Sequence, residues 1–299
     1  MRIKEVLIIS LLMATMIVIS GADQCPQGTG TSSSQGLFGG ISGGKTEAVK
    51  YGVDFILNPG LDKLTAGKTV KLGESDYADI LLENFDSEQK TGQICIRDDL
   101  DDAYGGISSS CQDFVIPGAS FIGGEFDKES SIEVKFPVSG YYPPYSGLPA
   151  DIDSTFYIAA SYAQHSVATG AVTSPSPETE KWTLKQEASP ITVSAEKSLS
   201  STESNIKVNL KFTLQKQGNY SISTTDFKRN AVAFSAKLGF YNLDCPELKQ
   251  GFIDFENTKF ISCSALLPRE TLTEPLIVTL DYGVKLSKSF KFKIQKGEA

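Results

Sequence analysis

The chain has 299 residues, 28 Lys and Arg against 36 Asp and Glu, and a formal net charge of −8. That balance argues against nucleic acid as a partner, because such binding rests on neutralising phosphates. A single histidine, His165, disfavours the large enzyme classes that rely on imidazole, and no zinc-ligand spacing or phosphate-cradling glycine loop appears.

The N-terminus reads as an export signal. Arg2 and Lys4 precede an apolar run from Val6 to Ile19, and Ser20-Gly21-Ala22 supplies small residues for cleavage after Ala22. The alternative is an uncleaved signal anchor, although the run is shorter than the roughly 20 residues that span a bilayer. Residues 1–22 are therefore expected to form a signal helix and to send the rest outside the cytosol, secreted or at the cell surface. Two close cysteine pairs, Cys95 with Cys111 and Cys245 with Cys263, agree, since disulfides persist there. Other pairings stay open at this level. Cys25 is the odd thiol; Gln24 before it departs from a lipid-attachment pattern, so an intermolecular bridge or a free thiol is favoured over a lipid anchor. Residues 23–46 are rich in Gly and Ser and read as a flexible linker.

Beyond residue 46 the apolar period is two. Val53, Phe55 and Leu57 alternate with polar neighbours, then Ala78, Ile80 and Leu82, then Ile94 and Ile96 around Cys95. Ile132 to Val138 and Phe156 to Tyr162 continue the pattern, and Trp182 sits in what reads as the last strand of a first sandwich. Ile206 to Leu214 alternates with Lys207, Asn209, Lys211 and Thr213. Leu276 to Tyr282, a turn opened by Gly283, and Phe290 to Ile294 read as a terminal hairpin. Many short alternating runs bounded by Gly, Pro, Asn and Asp predict an all-β protein of antiparallel sandwiches. The Pro-rich stretch 173–177 and Pro190 place a boundary near 189. The expected architecture is thus two tandem immunoglobulin-like β-sandwiches, 47–189 and 190–299. Residues 23–189 carry 24 acidic and 11 basic side chains, and residues 190–299 carry 11 and 15, so the first half is acidic and the second basic.

The run from Leu272 to Gly283 after Cys263, with its Leu-Thr-Glu-Pro-Leu strand and Tyr-Gly, resembles the closing hairpin of exported β-sandwich surface proteins of small-genome archaea. The stretch Gly52 to Asn84 is similar to the opening of such a sandwich. The resemblance covers about a third of the chain and implies a cell-envelope protein; it brings no catalytic residues with it.

Four features are candidates for chemistry. Asp98, Asp99, Asp101 and Asp102 form an acidic loop that is either simply solvated or a calcium site, the one cofactor the chain suggests. Tyr141, Tyr142 and Tyr145 lie among prolines; stiff aromatics of this kind either cover a sandwich edge or form a contact surface for a protein or a glycan. Asn219-Tyr220-Ser221 is a glycosylation sequon. His165 has no nucleophile signature near it and reads as a polar residue in a strand. The expected function is a non-enzymatic binding, adhesion or scaffold protein, without nucleic acid, touching membrane only through its N-terminal segment if that stays uncleaved, and able to self-associate through Cys25. The alternatives are a secreted hydrolase, a ligand-binding accessory protein, or a subunit of a filament or virion.

Overall fold

The computed structural model describes residues 52–58, 63–65, 68, 70, 72, 79–100, 104–122, 125–126, 130–174, 180–187, 189–201, 205–268 and 272–296. The expected signal, the linker, Cys25, Asp101 and Asp102 lie outside them. No α-helix occurs among the described residues, and the period-two patterns become strands.

In chain order the strands open with β1 (Val53–Asn58), β2 (Lys63–Thr65), β3 (Asp79–Asn84), β4 (Lys90–Asp98) and β5 (Ser110–Ile116). Short β6 (Phe121–Ile122), β7 (Glu125–Phe126) and β8 (Ser131–Val134) precede β9 (Ile152–Ser174), which is 23 residues long. Next come β10 (Glu180–Thr183), β11 (Lys185–Gln186), β12 (Ile191–Ser201), β13 (Asn205–Lys216) and β14 (Ser221–Ser223). The chain closes with β15 (Ala231–Leu238), β16 (Tyr241–Asn242), β17 (Phe252–Asp254), β18 (Thr258–Pro268) and the 24-residue β19 (Leu272–Gln295).

β9 and β19 pair antiparallel along their whole length, from Leu272 opposite Ser174 to Ile294 opposite Ile152. At about 3.4 Å per residue this ladder is roughly 75 Å long. Near its Ile152 end β4 and β5 extend the β9 side and β2 joins β19 in parallel; near its Ser174 end β11 joins β9 while β15, β16 and β17 extend the β19 side. Two smaller sheets face this large one. β1-β3-β8 lies over the Ile152 end, where the Val53 N–H donates to the Tyr162 hydroxyl at 3.0 Å and Lys288 donates to Asp54 and to the Phe55 carbonyl. β10-β12-β13-β18 lies over the other end, where the Phe212 and Phe234 rings meet at 5.5 Å. The result is a sandwich-like, all-β body with one contiguous hydrophobic core. By their contacts, residues 49–299 form one compact unit.

Three sequence expectations change. The terminal hairpin does not form: β19 runs straight through Gly283, which pairs with Ala163. A Cβ there would lie 2.6 Å from the Thr224 carbonyl oxygen, so glycine serves close approach of the neighbouring turn rather than a bend. The Ile132–Val138 strand stops at Val134; Phe136 makes only an isolated bridge to Leu72, Pro137 has no N–H for a ladder, and Val138 is 73% exposed. Finally, β10, expected to end the first sandwich, pairs with β12 on the far side of residue 189. The boundary near 189 is thus crossed three times, by this pair, by the central ladder and by β2 against β19.

Midway along the ladder its inward face turns polar. Gln164, Ser166 and Tyr282 are buried there, with Asn84, Asp86, Lys90 and Ser189 arriving from loop turns and strand ends. Lys90 Nζ sits 2.8 Å from Asp86 Oδ2, which also accepts from Gln164 Nε2 at 2.6 Å. The Asn84 amide donates to the carbonyls of Glu88 and Pro117, and the Tyr282 hydroxyl lies 2.8 Å from Ser189 Oγ. This seam is where the two covering sheets end and their turns bring backbone polar groups inward, so partners must be supplied. Among the described residues Gln164 Oε1 is the one buried side-chain oxygen left without a partner.

Three phenols are sealed in this body. Burial raises Tyr162 well above the ordinary range and pushes Tyr282 up to about 12; burial, aided by a hydrogen bond to Asp98, raises Tyr145 as well. A folded-state pKa above the unfolded value of about 10 gives stability that is complete below pH 10 and lost as pH rises through the folded pKa. We expect the melting temperature to hold up to about pH 10 and fall steeply above it. Phenolate absorbance from these residues should appear together with loss of the β-sheet circular dichroism. Titration of all 11 tyrosines near pH 10 with the sheet signal intact would contradict this.

Candidate binding surface

The two close cysteine pairs are both bonded. Cys95 and Cys111 are direct register partners on β4 and β5, with S–S 2.04 Å; Cys245 joins Cys263 at 1.99 Å, tying the segment after β16 to β18. Each bridge closes a loop of 16 or 18 residues, worth about 3 kcal/mol in the loop-entropy view.

The tyrosine-rich loop folds inward. Tyr145 is fully buried and donates to Asp98 Oδ2 at 2.6 Å, while Gly106, at φ +84°, lies flat against its ring where no Cβ would fit. Tyr142 is 5% exposed and hydrogen-bonded to Ser110, and only Tyr141, at 57%, reaches solvent. A contact surface made of all three rings is therefore not what this loop presents: the flanking prolines stiffen it, but apolar burial decides where the rings go. Asp98 and Asp99 are likewise engaged by the protein. Asp98 is 8% exposed beside Tyr145 and Leu100 N–H. Asp99 Oδ1 accepts from Ser154 Oγ at 2.6 Å and Thr155 N at 2.7 Å; partial burial raises its carboxyl, but these bonds outweigh that and hold it below the usual range. Among the described residues no three acidic, His or Cys side chains converge as metal ligands.

Asn219 is exposed in the turn after β13, where a glycan could be added. His165 and Asp281 are register partners on the ladder's outward face, with Nδ1 2.6 Å from Oδ1 and both side chains about half exposed.

The outer face of β12, β13 and β18 carries a constellation not singled out from the sequence. Alternation turns Val193, Ala195, Val208, Leu210, Ile261 and Cys263 inward and so leaves Glu196, Ser198, Asn209, Lys211, Ser262 and Ser264 outward. Register then aligns them into two rows across the strands. Glu196, Lys211 and Ser262 stand side by side, and next to them Ser198, Asn209 and Ser264. Asp244 bridges to Ser264 through both backbone hydrogen bonds and adds itself to the end of the second row. With Pro246 overhanging, these rows bound a shallow cleft of about 330 Å³, near the lower limit of the ~300–1,000 Å³ common for ligand sites.

Rows on one face lie about 7 Å apart and strands about 4.8 Å apart, so the polar bed spans roughly 14 Å across its strands. No described residue hydrogen-bonds or ion-pairs with the side chains of Glu196, Ser198, Asn209, Asp244 or Ser264. Phe260, 54% exposed with Lys211 Nζ 4.9 Å from its ring centre, flanks one side, and Leu266, 60% exposed, flanks the other. The outward polarity of β13 was plain from its alternation; its alignment with β12 and β18 was not, because register is set by partners distant in sequence.

A smaller depression of about 140 Å³ opens over the seam, lined by Asp86, Glu88, Gln164, His165 and Glu187 among others. No protein-family model matches this chain, and no curated protein matches its sequence.

Proposed function

We propose that the chain is a non-enzymatic binding and scaffold protein displayed on a cell envelope or secreted, carrying two stacked immunoglobulin-like sandwiches that share one ladder. The observation that carries the reading is the cleft on the outer face of β12, β13 and β18, where Glu196, Ser198, Asn209, Asp244 and Ser264, without side-chain partners among the described residues, stand in register on a rigid sheet. Binding groups held by strands are pre-ordered, so little entropy is lost when a partner arrives. The two disulfides support a place outside the cytosol. Hydrolysis would call for carboxylates paired in a confined pocket with perturbed acidity, whereas Glu196 and Asp244 line a cleft whose rim residues Ser198, Lys211, Asp244 and Pro246 are solvent-exposed.

The test is binding of the labelled secreted chain to envelope preparations or intact cells. Saturable binding that drops at least tenfold in Asn209→Ala, with an unchanged melting temperature, is the expected result. A wild-type chain that never saturates on any such surface sinks the reading.

A further inference from the structure

We infer that the ligand of this cleft is a neutral oligosaccharide, an inference that rests on the binding role just proposed. The lining chemistry narrows the choice. Two carboxylates, Glu196 and Asp244, face one outward ammonium, Lys211, since Lys197 turns its own inward to Thr173 and Glu180; that balance disfavours an anion such as a phosphate or an acidic sugar. A hard cation would need more oxygen ligands than these two carboxylates bring together, and the described residues offer no convergent set of three metal-binding side chains. An aliphatic ligand would strip water from the serine, asparagine and charged side chains of this cleft and leave them unpaired.

A sugar ring meets the same floor well. Each hydroxyl both donates and accepts, so it needs acceptor-only and donor groups close together. The cleft provides them side by side: the Glu196 and Asp244 carboxylates accept, Lys211 donates, and the Asn209 amide and three serines can do either. Neighbouring hydroxyls on a ring can bridge adjacent side chains across the strand spacing of about 4.8 Å. Pro246 at the rim offers an apolar surface for the C–H face of the ring. The two rows are long enough for more than one ring, which favours an oligomer over a free monosaccharide.

The experiment is an NMR titration of the full secreted chain with a panel of neutral di- and trisaccharides of glucose, mannose, galactose and N-acetylglucosamine. An oligouronate and methylammonium serve as charged controls. The expected result is saturable shifts from at least one neutral sugar, confined to β12, β13, β18 and residues 244–246. Asn209→Ala and Asp244→Ala should each weaken that sugar at least tenfold at unchanged melting temperature, while Gln215→Ala, on the same face but two rows away, should leave it unaltered. The inference is overturned if no neutral sugar saturates, if a charged control binds as tightly, or if the two cleft variants bind like wild type. Envelope binding that depends on Asn209 yet is not competed by any sugar would overturn the ligand class alone. Absence of both kinds of binding would remove the proposed function as well.

Discussion

Expressed separately, residues 47–189 and residues 190–299 should both fail to fold, whereas 47–299 should unfold in a single cooperative transition. The reason is the central ladder. β9 belongs to the first fragment and β19 to the second, and each is the other's partner from end to end. Cutting between them exposes two long edges, each carrying apolar residues on its inward face: Phe156, Ile158 and Ala160 on one, Val278, Leu280 and Val284 on the other. The second fragment also loses β10 from the sheet that covers it. Such losses exceed the whole 5–15 kcal/mol that holds an ordinary domain together. Circular dichroism and amide proton dispersion on the isolated fragments, then on their mixture, provide the check. A cooperative melt from either fragment alone would show that the ladder is dispensable. Unpaired edges of this length should also drive the fragments to aggregate.

Lys90→Met should destabilise the protein by about 3–5 kcal/mol, because it strips the partner from a carboxylate that stays buried. Lys90 is 2% exposed and Asp86 4%, and the pair sits under the seam rather than at the surface. Gln164 and the Glu88 N–H still donate to Asp86, but neither carries charge. For a chain of this size a loss of that order lowers the melting temperature by about 10 °C. The double change Asp86→Leu with Lys90→Met should cost clearly less than the two single changes summed, since no lone charge remains. Chemical denaturation of the four proteins closes the cycle. Equal, additive losses would mean that the two charges do not act as a pair.

These expectations separate what was legible along the chain from what was not. Local alternation marked most of the longer strands, and the two cysteine pairs bonded as their closeness suggested. Even the length of β19 had left a trace, because Leu276, Val278, Leu280, Tyr282, Val284 and Leu286 share one parity with Phe292 and Ile294. Reading Gly283 as a turn ignored that unbroken phase. β9 hid its length differently: Gln164 and Ser166 occupy inward positions, and polar residues there look like the end of a half-buried strand. Their burial makes sense only beside Asp86, Ser189 and Tyr282, which come from far along the chain. The tyrosine loop erred in the opposite direction, since composition alone made Tyr142 and Tyr145 look available for contact.

Taken alone, then, the order of residues determined the period and inward face of β1, β3, β13 and the apolar stretches of β9 and β19, the closeness of the two cysteine pairs and the all-β class. All of these depend on neighbours a few positions away or on a short loop closing. Tertiary structure decided that two strands would run through both halves, that the polar seam would be buried, and that Glu196, Lys211, Ser262, Asn209 and Asp244 would line one cleft. Those outcomes turn on register between strands up to about 140 residues apart, where a shift of one residue would exchange inside for outside, and no local pattern encodes that alignment.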